Sequence, residues 1–170
     1  MSLSSKIKRQ PTPSPALLSK TVSNQKYLDG EVLSACINGD LHRLQHTIES
    51  GGRLTTLDPN LNNPLHLAIL GVKAGSPNVN IVSFLLQERE KSSYDTENDQ
   101  GMNPLMLAIK IQSAYIANLL MDKGYALTST LPDRTPLLVA AARCPGPHGV
   151  RLVEALLRRE EALAAPGPGW

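Results

Sequence analysis

The chain has 170 residues, enough for one core or one short solenoid. Hydrophobic residues make up 41% and aromatic residues only 4%, so we expect a core of Leu, Ile, Val and Ala in thin helical layers. The net charge of +2 argues against nucleic acid or an anionic membrane as a partner, and no apolar run approaches the length of a membrane span. The two cysteines match no metal-binding spacing, and the N-terminus lacks the apolar centre of a secretion signal, so we expect an intracellular protein, cytoplasmic, nuclear or both.

Residues 1–25 are expected to form a disordered tail, because Ser, Pro and Lys dominate them. Thr12 and Ser14 each precede a proline and are candidate sites of proline-directed phosphorylation. Each phosphate would add about 1.5 to 2 negative charges to a basic segment. Three basic residues of this tail form a small cluster, interpreted either as a solvated leader or as a weak nuclear signal: Lys6, Lys8 and Arg9.

The first predicted helix pair follows Leu28. Residues 31–37 have a helical pattern that ends at Asn38, and Asp40 is expected to cap a second helix. Apolar residues recur at helical spacing in that second helix, and a glycine pair after it marks its end.

A hexapeptide is then repeated along the chain. Pro64–Ile69 returns as Pro104–Ile109 and again as Pro136–Ala141, with copies that begin 40 and 32 residues apart. Each copy starts with proline, which suits the first helical position, and has a small residue at its fifth position. Spacing in this range is typical of stacked repeats.

The repeated pattern resembles the ankyrin repeat, in which Asp, Gly and then Thr-Pro-Leu-His-Leu-Ala lead into the first helix. Asp58 and Asn98 lie six residues before their prolines, Gly101 lies three before Pro104, and Thr135 directly precedes Pro136. Segments similar to the family's second helix, Ile-Val-x-Leu-Leu-Leu, follow at residues 81–86, 116–121 and 152–157.

The resemblance covers residues 29–163 in about four repeats, at 29–57, 58–97, 98–129 and 130–163. It implies an all-α ankyrin-repeat solenoid of stacked helix-turn-helix units with β-turn or hairpin loops. We expect this domain to span residues 26–165 and a flexible tail to occupy residues 166–170, where Trp170 either dangles or covers the last repeat.

Several positions depart from the family pattern. Asn63 and Asn103 replace Thr but retain a side-chain oxygen that caps a helix. His66 is expected to be a structural hydrogen-bonding residue, and its replacement by Met106 and Leu138 in later copies predicts incomplete links between neighbouring loops. Two Gly/Pro-rich insertions, residues 71–77 and 144–149, are expected to be loops. Of the cysteines, Cys36 is expected in the core and Cys144 at the surface.

The sequence contains no constellation typical of catalysis. It lacks a phosphate-binding glycine loop and a nucleophile-elbow motif, and its acidic run between residues 88 and 99 is interpreted as solvated. His42 and His46 have the i, i+4 spacing of metal ligands, but no third ligand converges with them in sequence. We therefore expect no enzymatic activity, no cofactor, no metal site and no small-molecule substrate.

The resemblance implies that a partner protein binds to the loop tips and to the exposed side of the first helices. We expect a non-enzymatic module, an adaptor, inhibitor or targeting subunit, that is monomeric by itself. The alternative is the substrate-recognition part of a larger enzyme complex, such as a ligase or a secreted effector. The candidate partner-binding residues on the loops are Asn60, Asn62, Gln100, Met102, Pro132 and Arg134, and those on the first helices are Asn38, Leu70, Lys110 and Arg143.

Overall fold

The computed structural model describes residues 15–73, 79–88, 94–125 and 130–164. Within these ranges the helices are α1 (Pro15–Asn38), α2 (Leu41–Glu49), α3 (Pro64–Lys73), α4 (Val79–Glu88), α5 (Pro104–Lys110), α6 (Ala114–Asp122), α7 (Leu137–Ala142) and α8 (Gly146–Ala164). No strand occurs in the described ranges, where the only β-type pairing is an isolated antiparallel bridge between Thr130 and Pro136. The all-α repeat architecture is therefore confirmed.

The helices pack as four consecutive pairs. The first helix of each pair contacts the next first helix, so that α1, α3, α5 and α7 form one row, and each also packs on its own second helix. Each short pair buries its apolar side chains only by stacking on its neighbours. The fully buried side chains on these helices include Leu44, Leu65, Ile69, Ile81, Leu85, Leu105, Ile109, Ile116, Leu120 and Leu152.

The predicted start of α2 is confirmed. The Asp40 carboxylate accepts the backbone N–H of Arg43 at 2.9 Å, which satisfies one of the free donors at the start of the helix. Gly51 and Gly124 follow α2 and α6 with φ of 100° and 79°, as expected for glycines that end a helix.

The first helix is longer than the sequence predicted. It begins at Pro15, so the expectation that residues 15–25 are disordered is wrong. Proline suits the first helical position, and the three residues that follow it, Ala16, Leu17 and Leu18, are good helix formers. The extension is also tied to the rest of the fold, because the Gln25 side chain donates to the Asp29 carboxylate at 2.9 Å and to the Gly51 carbonyl at 3.0 Å.

The second Gly/Pro-rich insertion is also more ordered than predicted. Helix α8 begins at Gly146, so most of residues 144–149 belong to a helix rather than to a loop. A Cβ atom at Gly149 would lie 2.0 Å from the carbonyl oxygen of Cys144, so glycine permits this first turn to pack closely on the preceding backbone. Cys144 is consequently buried, and its predicted exposure is wrong, whereas Cys36 is buried as expected.

Two aromatic residues contribute to the core, which the composition did not predict. Tyr94 and Tyr125 are 1% and 0% exposed and are among the largest fully buried side chains. Burial raises the pKa of the Tyr125 phenol. In the described part of the chain, no helix has both the length and the apolar character that a bilayer span requires.

Some expectations concern residues outside the described ranges. These are residues 1–14 with Thr12, Ser14 and the basic cluster, part of the first insertion, and the tail at 166–170 with Trp170.

Candidate functional site

Three loops lead into the first helices of repeats two, three and four. We call them the repeat-two loop (residues 58–62), the repeat-three loop (98–102) and the repeat-four loop (131–135). In each, the N–H of the first residue donates to the carbonyl of the fifth, and the N–H of the fourth donates to the carbonyl of the first, at 2.8 to 3.0 Å. The three loops therefore have one backbone hydrogen-bonding pattern.

A polar side chain at the first position organises two of these loops. The Asp58 carboxylate accepts the N–H groups of Asn60 and Asn62 at 2.9 and 2.7 Å. The Asn98 side-chain oxygen accepts the N–H groups of Gln100 and Met102 at 3.0 and 3.1 Å. These are local turns in which Asp or Asn replaces a backbone acceptor. The side chains of Asn60 and Gln100 take no part in them.

Hydrogen bonds join the repeat-two loop to the repeat-three loop. The side-chain amide of Asn98 donates to the side-chain oxygen of Asn62 at 2.9 Å, and the N–H of Asp99 donates to the carbonyl of Asn60 at 3.0 Å. Nε2 of His66 lies 2.9 Å from the carbonyl of Met102. The predicted structural role of His66 is confirmed, and these bonds fix the positions of the two tips relative to one another.

The helices after these loops begin in two different ways. Asn63 and Asn103 cap α3 and α5, because their side-chain oxygens accept the N–H of the residue three positions on at 3.0 and 2.9 Å. In repeat four the proline lies one residue closer to the loop, so Pro136 takes the cap position before α7, and there is no side-chain capping bond. The start of α7 therefore lacks the stabilisation present in α3 and α5.

The fourth position of every loop has a left-handed backbone. It is Gly101 in the repeat-three loop, with φ of 69°, but Leu61 and Arg134 in the other two, with φ of 59° and 63°. Residues with a Cβ atom adopt this conformation at an energetic cost. Leu61 is 50% exposed, so burial of its side chain does not account for the strained backbone.

The structure places the candidate residues unevenly. Leu70 is half-buried, while Asn62 and Met102 are only 5% and 3% exposed, so the expectation that these two present their side chains to a partner is wrong. Asn62 bonds across the loops, and Met102 packs into the core. Partner binding by the exposed candidates stays a prediction: Asn38, Asn60, Gln100, Lys110, Pro132, Arg134 and Arg143.

The sequence reasoning missed two residues of this surface. Leu61 projects from a loop tip, and it was detectable because it stands three residues before its proline, where Gly101 stands in the next repeat. Asp133 lies beside Lys110 and Arg143 around a small cleft. Hydrogen bonds from Thr135, with help from the charge of Lys110, hold the pKa of Asp133 below its usual value, so its carboxylate remains charged.

No group of three or more His, Cys, Asp or Glu side chains within the described ranges has the proximity needed to hold a metal ion. The surface instead consists of loop tips fixed by hydrogen bonds, next to the exposed ends of a row of short helices. Together, fold and surface define a helical repeat protein with a preorganised loop face.

Comparison with protein families identifies the repeat. Residues 32–130 match the family described as ankyrin repeats in three copies, and because this is more than half of the chain, the chain belongs to the ankyrin-repeat family. The structure adds a fourth helix pair, α7 and α8, beyond the matched region. Ankyrin repeats indicate a protein-interaction module. A search of curated proteins gives no match.

Comparison with solved structures shows the same fold. One similar chain comes from the complex of the predatory endopeptidase Bd0816 of Bdellovibrio bacteriovorus with the immunity protein Bd3460, with a TM-score of 0.64 and 20% sequence identity. The match covers 78% of this chain and spans 65% of the length of that chain. Because 327 chains of solved structures match, the likeness identifies a widely used fold and not a particular activity.

Proposed function

We propose that the chain is a non-enzymatic, intracellular protein-binding module, an adaptor, inhibitor or targeting subunit, that binds its partner through the loop tips and the concave face of the first helices. The observation that carries this proposal is the loop face itself. Its backbone is fixed by hydrogen bonds within each of the three loops and between the repeat-two and repeat-three loops, whereas the side chains of Asn60, Gln100 and Arg134 are exposed. Preorganisation of this kind lowers the entropic cost of binding a partner.

The test compares two triple variants. Changing Asn60, Gln100 and Arg134 to alanine removes three tip side chains but leaves the turns intact, because at the first two positions only backbone groups bond within the loops. The matched control changes two exposed amides and one exposed arginine on second helices, Gln45, Gln87 and Arg151, to alanine. We expect proteins captured from an extract of the expressing cells to be lost with the tip variant and retained with the control, at unchanged circular dichroism and Tm. Equal capture by the tip variant and the unmodified chain would contradict the proposal.

A second candidate function is the recognition part of a larger enzyme complex. It is supported by the similar fold in a solved complex that contains an endopeptidase. In this case the captured partner is an enzyme that keeps its activity when this chain is bound. If the chain is instead an inhibitor, its binding suppresses the activity of the captured enzyme. An activity assay of the captured enzyme, with and without added chain, distinguishes the two.

A further inference from the structure

The last helix pair exposes a second apolar face on α8. This helix packs on α6 and α7 and buries Leu152 and Leu156, whereas Val150 and Leu157 are 61% and 41% exposed. Because Val150 and Leu157 are seven residues apart, close to two helical turns, they lie on one face of the helix. A surface helix normally has a single apolar face, and the outer repeat of a stack needs a polar one. The second apolar face of α8 therefore requires a cover.

A shallow cleft lies beside this face, where α7 ends and α8 begins. Its volume is about 230 Å³, and its lining is mostly apolar, formed by Ala142, Cys144, Gly149, Val150, Val153 and Glu154. Because pockets for small molecules usually start at about 300 Å³, the cleft suits one large side chain better than a metabolite. Glu154 supplies the one charged group of the lining. We call this cleft, together with Leu157, the end patch.

The residues that directly follow α8 include the only tryptophan of the sequence, Trp170. Pro166 cannot continue the helix, and the glycines on either side of Pro168 allow the backbone to reverse its direction. The six residues from Ala164 to Trp170 span at most about 20 Å. Val153 lies eleven residues before Ala164, about 17 Å along the helix. The segment is therefore long enough to bring the indole back to the end patch.

We propose that Trp170 folds back onto the end patch of its own chain and covers it. The indole packs on Leu157 and enters the cleft beside Val153, and its N–H donates to the carboxylate of Glu154. That carboxylate lies 4.0 Å from Arg158, a separation that leaves it able to accept the bond. The match is chemical, since an indole is a large apolar body with one donor and the cleft has apolar walls with one anionic acceptor. The inference concerns the end of the stack and does not depend on the proposed function.

The test is the fluorescence of Trp170, which needs no label because the chain has no other tryptophan. Excited where tyrosine does not absorb, the native chain should emit at shorter wavelength than the urea-unfolded chain, and acrylamide should quench it several-fold less. The patch variant, Val150→Ser with Leu157→Ser, should shift the emission toward that of the unfolded chain. The matched control, Val22→Ser with Leu57→Ser, removes the same two residue types at other exposed sites and should keep the native emission.

Two further arms make the proposal specific. Trp170→Ala should lower the free energy of unfolding of the unmodified chain and have little effect in the patch variant, because residues in contact give non-additive effects. The emission should also stay constant on dilution, since the contact lies within one chain. Native emission equal to that of the unfolded chain, equal shifts in the two double variants, or an equal effect of Trp170→Ala in both backgrounds would overturn the proposal. Emission that shifts on dilution, with dimers in sedimentation velocity, would assign the end patch to a second copy of the chain and would also overturn it.

Discussion

His66 is held neutral inside the protein. Its Nδ1 atom accepts the N–H of Asn63 at 3.4 Å, and its Nε2 atom therefore carries the proton that is donated to the Met102 carbonyl. Burial lowers the pKa of His66 from its ordinary value of 6.5, although the Met102 carbonyl and the charge of Asp58 oppose this change. A second ring proton would displace the bond from Asn63.

This arrangement predicts a loss of stability in weak acid. Below pH 6.5 the unfolded chain binds a proton at His66 before the folded chain does, so the free energy of unfolding falls as the pH falls from 6.5 toward the folded pKa. For each unit by which the folded pKa of His66 lies below the unfolded pKa, the total fall in the free energy of unfolding is about 1.4 kcal/mol. Urea denaturation at pH 7.5 and 5.5 measures this fall.

His66→Met is the matched comparison, because Met106 occupies the equivalent buried position in repeat three. We expect a smaller fall in stability between the two pH values for this variant. The other three histidines are present in both proteins, so any contribution from them cancels. An identical fall in both proteins would show that His66 is not the source.

Residue roles that depend on near neighbours were predictable from the sequence, and those that depend on distant loops were not. Asp40 and Asn103 cap helices that begin directly after them, and both were predicted. Asn62 and Met102 were expected at the surface because they lie in loops, yet each bonds to a residue 36 positions away in the chain. A single sequence does not reveal which loop residue faces its neighbouring loop.

At the scale of elements, the N-terminal extension of α1 is attached through Asp29. This carboxylate is 7% exposed and accepts the Gln25 side chain at 2.9 Å and the backbone N–H of Arg53 at 3.1 Å. Its hydrogen bond with the Arg53 side chain is the main cause that lowers the pKa of Asp29, and burial opposes it. The carboxylate therefore joins α1 to the segment after α2.

Asp29→Ala should destabilise the protein by on the order of 1–3 kcal/mol, because it leaves the Arg53 N–H without its acceptor. Arg53→Ala keeps that backbone bond and removes only a side chain that is 61% exposed, so its effect should be smaller. Urea denaturation of both variants measures the difference. Equal losses would mean that the ion pair, and not the backbone bond, stabilises this contact.

The extent of α1 and α8 was the part of the fold that the sequence predicted least well. Composition suggested a disordered leader and a Gly/Pro-rich loop, but the Gln25–Gly51 bond joins parts of the chain 26 residues apart, and the close packing of Gly149 on Cys144 depends on the exact backbone path. The helix pairs themselves were predictable, because each begins with a proline or a capping side chain and has apolar residues at helical spacing.

At the scale of the molecule, stability should decrease toward the C-terminal end. Helices α3 and α5 lie inside the stack and have asparagine caps, whereas α7 has six residues, no side-chain cap and a Val139 side chain that is 45% exposed. Although α1 also lies at an end, it packs on α2 and α3 and is attached through Asp29. The two ends are therefore unequal.

Hydrogen exchange tests this order. Amides of α7 should exchange first, those of α1 between residues 31 and 38 should be intermediate, and those of α3 and α5 should be slowest. The reason is that the free energy of local opening ranges from about zero at fraying ends to the global free energy of unfolding in the core. Protection of α7 equal to that of α5 would contradict the prediction.

The left-handed backbone at Leu61 and Arg134 has a consequence for mutation and selection. An L-residue in this conformation costs roughly 1–2 kcal/mol, and glycine avoids the cost. A lineage selected for stability alone would tend to acquire glycine at both positions, as at Gly101. The leucine projects from the repeat-two loop and the arginine from the repeat-four loop, and strained positions of this kind cluster where proteins bind their ligands. Substitutions at Leu61 and Arg134 would therefore adapt the loop face to a new partner with the least disturbance to the core of the protein.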